Sequence, residues 1–148
     1  TNDRTCVWML ALGYNFVFRC HADEYVNNPR IRRWFEWLHI LQSKVLAKMM
    51  KGRVESFEHD RTPLFERGVD PTISDDDGVV KAVYGDVRVL ANLGDVPRKV
   101  EGHPLAAYGW WIVGPGVKSA KLEGGTPYVE TTDGRFEPRY DFVLSPRK

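Results

Sequence analysis

The sequence predicts an α+β fold: an amino-terminal helix-strand-helix segment followed by an antiparallel β-sandwich. Two observations carry this. Apolar residues recur at three- and four-residue steps over residues 29–51, the period of one helix face. From Val79 onward, short β-rich runs alternate with glycine, proline and aspartate turns, the pattern of an antiparallel sandwich or open barrel. The chain therefore divides into a helix-strand-helix segment at 1–52, an irregular connection at 53–78 and the sandwich at 79–148.

In chain order, Asn2 or Asp3 can cap a first helix that runs to about Leu12, and Gly13 supplies its stop. In the run Tyr14–Arg19, the aromatic and β-branched stretch Tyr14-Asn15-Phe16-Val17-Phe18 is nearly continuously apolar, as expected of a strand covered on both faces. A polar loop follows, and Asn28-Pro29 reads as the cap and first position of the next helix. Ile31, Trp34, Phe35, Leu38, Leu41, Val45, Leu46 and Met49 form its apolar stripe, and Gly52 closes it. So long a stripe requires a large apolar surface to cover it.

The connection Arg53–Gly78 contains Pro63 and Pro71 and has no sustained period, leaving room for a short strand at Val54–Phe57. Val79–Tyr84 and Val87–Leu93 flank Gly85-Asp86, a two-residue link whose leading glycine suits a type II′ turn. Further strands are expected at Ala107–Val113, Val117–Leu122, Thr126–Thr132 and Arg135–Leu144, with Asp133-Gly134 as a type I′ signal. Pro127 and Pro138 place the last two at an edge or a bulge.

Composition narrows function mainly by exclusion. Lysine and arginine number 21 against 20 acidic residues, a net charge of +1, so no global field draws the chain to nucleic acid or an anionic membrane. The polar face of the second helix carries Arg30, Arg32, Arg33, Lys44, Lys48 and Lys51, but without aromatic and basic residues interleaved on an open sheet it reads as a solvated face. No apolar run approaches the ~20 residues that span a bilayer. Cys6 and Cys20 lack metal-ligand spacing and read as buried thiols.

Site motifs are equally sparse. A calcium loop aligned on Asp75, Asp77 and Gly78 would put Ile73 at its first ligand position and Tyr84 at its last, so it fails. No nucleophile elbow, phosphate loop, dinucleotide fingerprint or two-histidine helix motif occurs, and His21, His39, His59 and His103 are dispersed. Neither a metal site nor a cofactor is therefore expected. Aromatic bulk on both faces of Ala107–Val113 marks Tyr108, Trp110 and Trp111 as candidates for stacking on sugar rings, in competition with burial.

The order of helix, Gly13, Tyr14–Arg19 strand and aromatic helix with Leu41-Gln42 near its middle, followed by an all-β tail, resembles the carboxy-terminal end of a barrel-type glycoside hydrolase. In the tail, VVKAVYGDVRVLANLGD followed by LAAYGWWIVGPG is similar to the carboxy-terminal β-sandwich of such enzymes, where a strand ending in Asn-Leu precedes a Tyr-Gly-aromatic strand. The resemblance implies that Tyr14–Arg19 and Pro29–Lys51 are the last barrel strand and helix, and that the preceding units and their catalytic carboxylates belong to the remainder of a parent enzyme. Arg19, His21, Asp23 and Glu24, with Cys20, would then be the only residues lining a substrate cleft. The expected function is a non-catalytic structural or accessory region of a glycoside hydrolase-like, carbohydrate-active enzyme. The alternative is an independent carbohydrate-binding module. The expected partners are a glycan and the rest of the parent enzyme; severed from the latter, residues 1–50 are expected to make the isolated chain a homo-oligomer. The sequence assigns no cellular compartment.

Overall fold

The computed structural model describes residues 2–13, 26–61 and 76–138. The Tyr14–Arg19 strand and the cleft candidates Arg19, Cys20, His21, Asp23 and Glu24 lie outside the described residues. So does the end of the strand expected at Arg135–Leu144.

The fold is α+β. Helix α1 (Asn2–Leu12) ends at Gly13, whose φ of +70° is the left-handed stop expected of it. Helix α2 (Pro29–Leu41) is capped by Asn28, which accepts from the backbone N–H of Arg30 and Ile31. One π-helical turn, Gln42–Leu46, connects it to α3 (Ala47–Lys51), so that 29–51 forms one rod carrying a bulge.

Nine strands follow among the described residues: β1 (Val54–Asp60), β2 (Asp76–Tyr84), β3 (Val87–Gly94), β4 (Arg98–Val100), β5 (His103–Leu105), β6 (Trp110–Gly114), β7 (Val117–Ala120), β8 (Tyr128–Thr131) and β9 (Gly134–Phe136). Seven of them form an antiparallel sheet in the order β1-β2-β3-β6-β7-β8-β9, and β4 with β5 makes a separate two-stranded ribbon. Each sheet neighbour is the next strand in sequence once the ribbon is set aside. The connection is thus partly regular: β1 is longer than the Val54–Phe57 expected and pairs with β2 along its length, from Val54 opposite Tyr84 to Asp60 opposite Val79.

Strand alternation assigns the two faces. Val80, Ala82, Tyr84, Val87, Val89, Ala91, Leu93, Trp110, Ile112, Val117 and Val129 point to one side. There they form one core with Cys6, Val7, Leu10 and Ala11 of α1 and Trp37, Leu38, Leu41, Val45, Leu46 and Met49 of the 29–51 rod. From Leu38 onward the stripe on that rod is therefore covered within the chain, by the sheet and α1, while Trp34 and Phe35 are partly buried against the same core. The opposite face packs Val79, Leu90 and Trp111 under Val100 and Leu105 of the ribbon.

The turns explain the register. Gly85 has φ +62° while Asp86 stays at negative φ, the combination of a type II′ link and not of type I′. In the ribbon, Glu101 and Gly102 are both at positive φ, +48° and +84°, which makes that hairpin type I′. Asp133-Gly134 is not the centre of a turn as expected: Thr131 pairs with Gly134, so Thr132-Asp133 forms the link and Gly134 begins β9. Pro127 and Pro138 fall just outside β8 and β9, where neither interrupts a ladder, and β8 is an interior strand, not an edge.

Candidate functional site

The residues that carry the sandwich resemblance meet where β3 ends and β6 begins. Asn92 is wholly buried; its Nδ2 donates to the carbonyls of Val96 and Ala106, both at 2.9 Å, and its Oδ1 accepts from Gly94 N–H at 3.1 Å. One side chain thus closes both ends of the excursion that contains the ribbon. Tyr108, at φ +51°, donates its N–H to the Gly94 carbonyl, and Gly109 folds back onto Ala106. A Cβ at Gly109 would sit 2.4 Å from the Lys121 carbonyl oxygen, so only glycine fits. Trp110 is 1% exposed, and its indole N–H donates to Ser119 Oγ, which in turn donates to the Tyr128 carbonyl.

This geometry removes Trp110 from the stacking candidates. Trp110 lies between the sheet and the helices, with Trp37 at a ring separation of 6.3 Å, and offers no face to a ligand. Trp111 points to the opposite side, but His103 stacks on it at 4.1 Å with the rings 25° apart, and Leu90, Val100 and Leu105 pack around it. Tyr108 is half-buried against the main core. The three do not form a shared platform, because alternation sends Trp110 and Trp111 to opposite faces.

Among the depressions on the described surface are two lined by both arginine and glutamate. One, of about 320 Å³, lies on the ribbon side of the sheet, lined by Ser56, Glu58, Lys81, Val83, Arg88 and Glu101 among others. Arg88 and Glu101 form an ion pair across it, which holds the tip of the ribbon onto β3. The other, of about 530 Å³, lies between the 29–51 rod and the end of the sheet. The helix supplies Arg33, Glu36, Trp37 and Ile40, and β9 with the residue after it supplies Arg135, Phe136 and Glu137.

Several contacts make this second groove a defined structure. The Trp37 indole N–H donates to the Phe136 carbonyl at 3.2 Å, tying helix to strand at its floor. On the face of the sheet turned away from the helix, Arg135 bonds Glu137 at 2.8 Å and lies 3.8 Å above the Tyr128 ring. Arg33 and Glu36 stand three residues apart, one helical turn, and so share the groove wall. Arg33 lies on the helix face that the sequence marks as solvated, and no local signal joins it to Arg135 and Glu137, about a hundred residues further on. Among the described residues no group of three or more histidine, cysteine, aspartate or glutamate side chains is arranged to hold a metal, and no helix is long and apolar enough to cross a membrane. Comparison with protein-family models, curated proteins and solved structures finds no match.

Proposed function

We propose that this chain is a non-catalytic accessory region of a glycoside hydrolase-like, carbohydrate-active enzyme, whose β-structure stabilises and positions and does not perform chemistry. One observation carries the reading. The residues of the motif that resembles the sandwich of such enzymes are spent on architecture. Asn92 ties a loop, Gly109 admits a backbone crossing, and Trp110 bonds in the core to Ser119 of the neighbouring strand. A motif used in this way marks a packing module.

The carboxylates agree with that role. Hydrolysis of a glycoside by acid and base needs two carboxyl groups facing each other across a cleft. In the larger groove Glu137 is engaged by Arg135, and in the smaller one Glu101 is engaged by Arg88. Each groove is left with one further carboxylate among its described lining residues, Glu36 or Glu58.

The test is an assay for reducing ends, and for release from aryl glycosides, with the purified chain across α- and β-linked substrates. Co-expression with candidate barrel domains follows, scored by the melting temperature of the barrel. The expected result is no turnover together with a higher barrel melting temperature. Turnover that is lost on replacing Glu36 or Glu58 by glutamine would overturn the proposal.

A further inference from the structure

We infer that the outer edge of β1 is a self-association surface, on which a second copy of this chain lays its own β1 antiparallel about a two-fold axis through Phe57. The inference concerns pairing between copies, not the accessory role, and either can fail alone. β1 closes one end of the seven-stranded sheet, and none of the described strands pairs with its outer side. It runs for seven residues and is exposed at all of them but His59, which is half-buried. Val54 and Phe57 are 61% and 44% exposed, whereas the opposite edge, β9, is three residues long. A long edge that carries large apolar side chains into water is a template for a further strand.

The ladder fixes which groups face outward. Tyr84 and Val87 flank the two-residue link at Gly85-Asp86 and form the hydrogen-bonded pair that closes it. Alternation then turns the N–H and C=O of Val83, Lys81 and Val79 toward β1, where they meet Ser56, Glu58 and Asp60. The N–H and C=O of Phe57 and His59 therefore point away from β2, along the outer edge.

The side chains select the register. A two-fold axis normal to the sheet sets one residue opposite its own copy. With the axis at Phe57, its N–H donates to the carbonyl of the partner's Phe57 and the reverse, and the two rings meet on the helix side of the sheet. Ser56 comes opposite the partner's Glu58 and can donate to its carboxylate, and Glu55 comes to the partner's His59, an acid facing a group that can carry positive charge. An axis at Glu58 would set two carboxylates face to face, and one at Ser56 would set Phe57 against the partner's Glu55. Glu58 also has Lys81 directly opposite it within its own chain, and the net charge of +1 raises no long-range repulsion between copies. Because the axis uses the same edge of both copies, the assembly closes at the dimer.

The experiment is sedimentation equilibrium of the full chain from micromolar to millimolar concentration, which should show a reversible monomer–dimer equilibrium and no larger species. Phe57→Glu sets two carboxylates opposite each other at the axis and should weaken the dimer by about tenfold or more, with unchanged circular dichroism. Phe57→Cys reads the register independently, because the Cα atoms of an opposed hydrogen-bonded pair lie about 5.5 Å apart, within reach of a disulfide. Under mild oxidation it should link residue 57 to residue 57, as mapped by mass spectrometry of the digest. Ser56→Cys and Glu58→Cys should not link to their own copies and should link to each other when the two variants are mixed. A chain monomeric throughout, association that Phe57→Glu leaves intact, growth beyond the dimer, failure of the 57–57 disulfide to form, or a link of residue 56 or 58 to its own copy would each overturn the inference.

Discussion

Trp110 donates its indole N–H to Ser119 Oγ at 2.9 Å, across two adjacent strands and with both side chains out of contact with water. A buried N–H without an acceptor costs about 1–3 kcal/mol, more than the bond contributes when made. Ser119→Ala removes that acceptor and also the donor that reaches the Tyr128 carbonyl. Ser119→Ala is expected to lower the unfolding free energy by ~2–3 kcal/mol, seen as a lower denaturant midpoint at unchanged slope. A shift well under 1 kcal/mol would mean that water or a rearranged Trp110 satisfies the indole.

Gly85 at φ +62° faces Gly52, and its N–H donates to the Arg53 carbonyl. A Cβ at Gly85 would lie 3.0 Å from the Gly52 Cα, so substitution meets both a backbone conformation unfavourable to L-residues and a close neighbour. Gly85→Val is expected to destabilise the chain by about 1 kcal/mol or more. Because the helix end and the hairpin tip touch here, hydrogen exchange should accelerate at Met49–Gly52 as well as in β2 and β3. Acceleration confined to the hairpin would show that the contact carries no stability.

These elements differ in how far they could be read from sequence. The Asn28 cap, the Gly13 stop and the Gly85 turn were legible because each is set by one or two residues whose backbone preferences are strong. The apolar stripe of the 29–51 helix was legible too, but not its cover. A stripe specifies that something apolar must meet it, and only the tertiary pairing of helix with sheet says what does. The sheet supplies that cover for Trp37, Leu38, Leu41, Val45, Leu46 and Met49. The Ala107–Val113 strand starts late, at Trp110, because Tyr108 at positive φ and the Gly109 crossing make a turn out of residues whose propensities alone suggest a strand.

Asn92 gives a prediction with a defined pH dependence. Its Nδ2 faces two carbonyl oxygens. Asn92→Asp would place a carboxyl there that can donate one bond when protonated and none when ionised. Burial and the facing carbonyls disfavour the ionised form, so the folded pKa of the new aspartate lies above its unfolded value. A group shifted in that direction gives its full stability below the unfolded pKa, and loses it as pH rises toward the folded pKa. The variant should therefore unfold more readily at neutral than at acid pH, relative to the parent chain measured in parallel. A difference between the two that is constant with pH would show that the carboxyl has rotated to solvent.

Asp76 and Arg98 form a buried ion pair between β2 and the ribbon. Their side chains are 6% and 5% exposed and bond at 3.0 Å, while Asp76 Oδ1 also accepts from Gly78 N–H at 2.9 Å. Arg98 Nε has no partner among the described residues. The pair joins the ribbon to the start of β2, so it fixes which part of the sheet the ribbon covers. Taking two charges out of water is costly, and an ion pair with one guanidinium nitrogen unsatisfied recovers that cost poorly. Removing only one partner is worse, because the Asp76 carboxylate then stays buried without the Arg98 guanidinium; Arg98→Met is expected to cost about 3–5 kcal/mol. Adding Asp76→Asn keeps the acceptor for Gly78 and removes the stranded charge. The double variant should then recover most of the loss, giving a coupling of roughly 2 kcal/mol or more in a double-mutant cycle read by chemical denaturation. Additive losses would mean that the two groups contribute independently and that Val100 and Leu105 hold the ribbon in place by apolar packing alone.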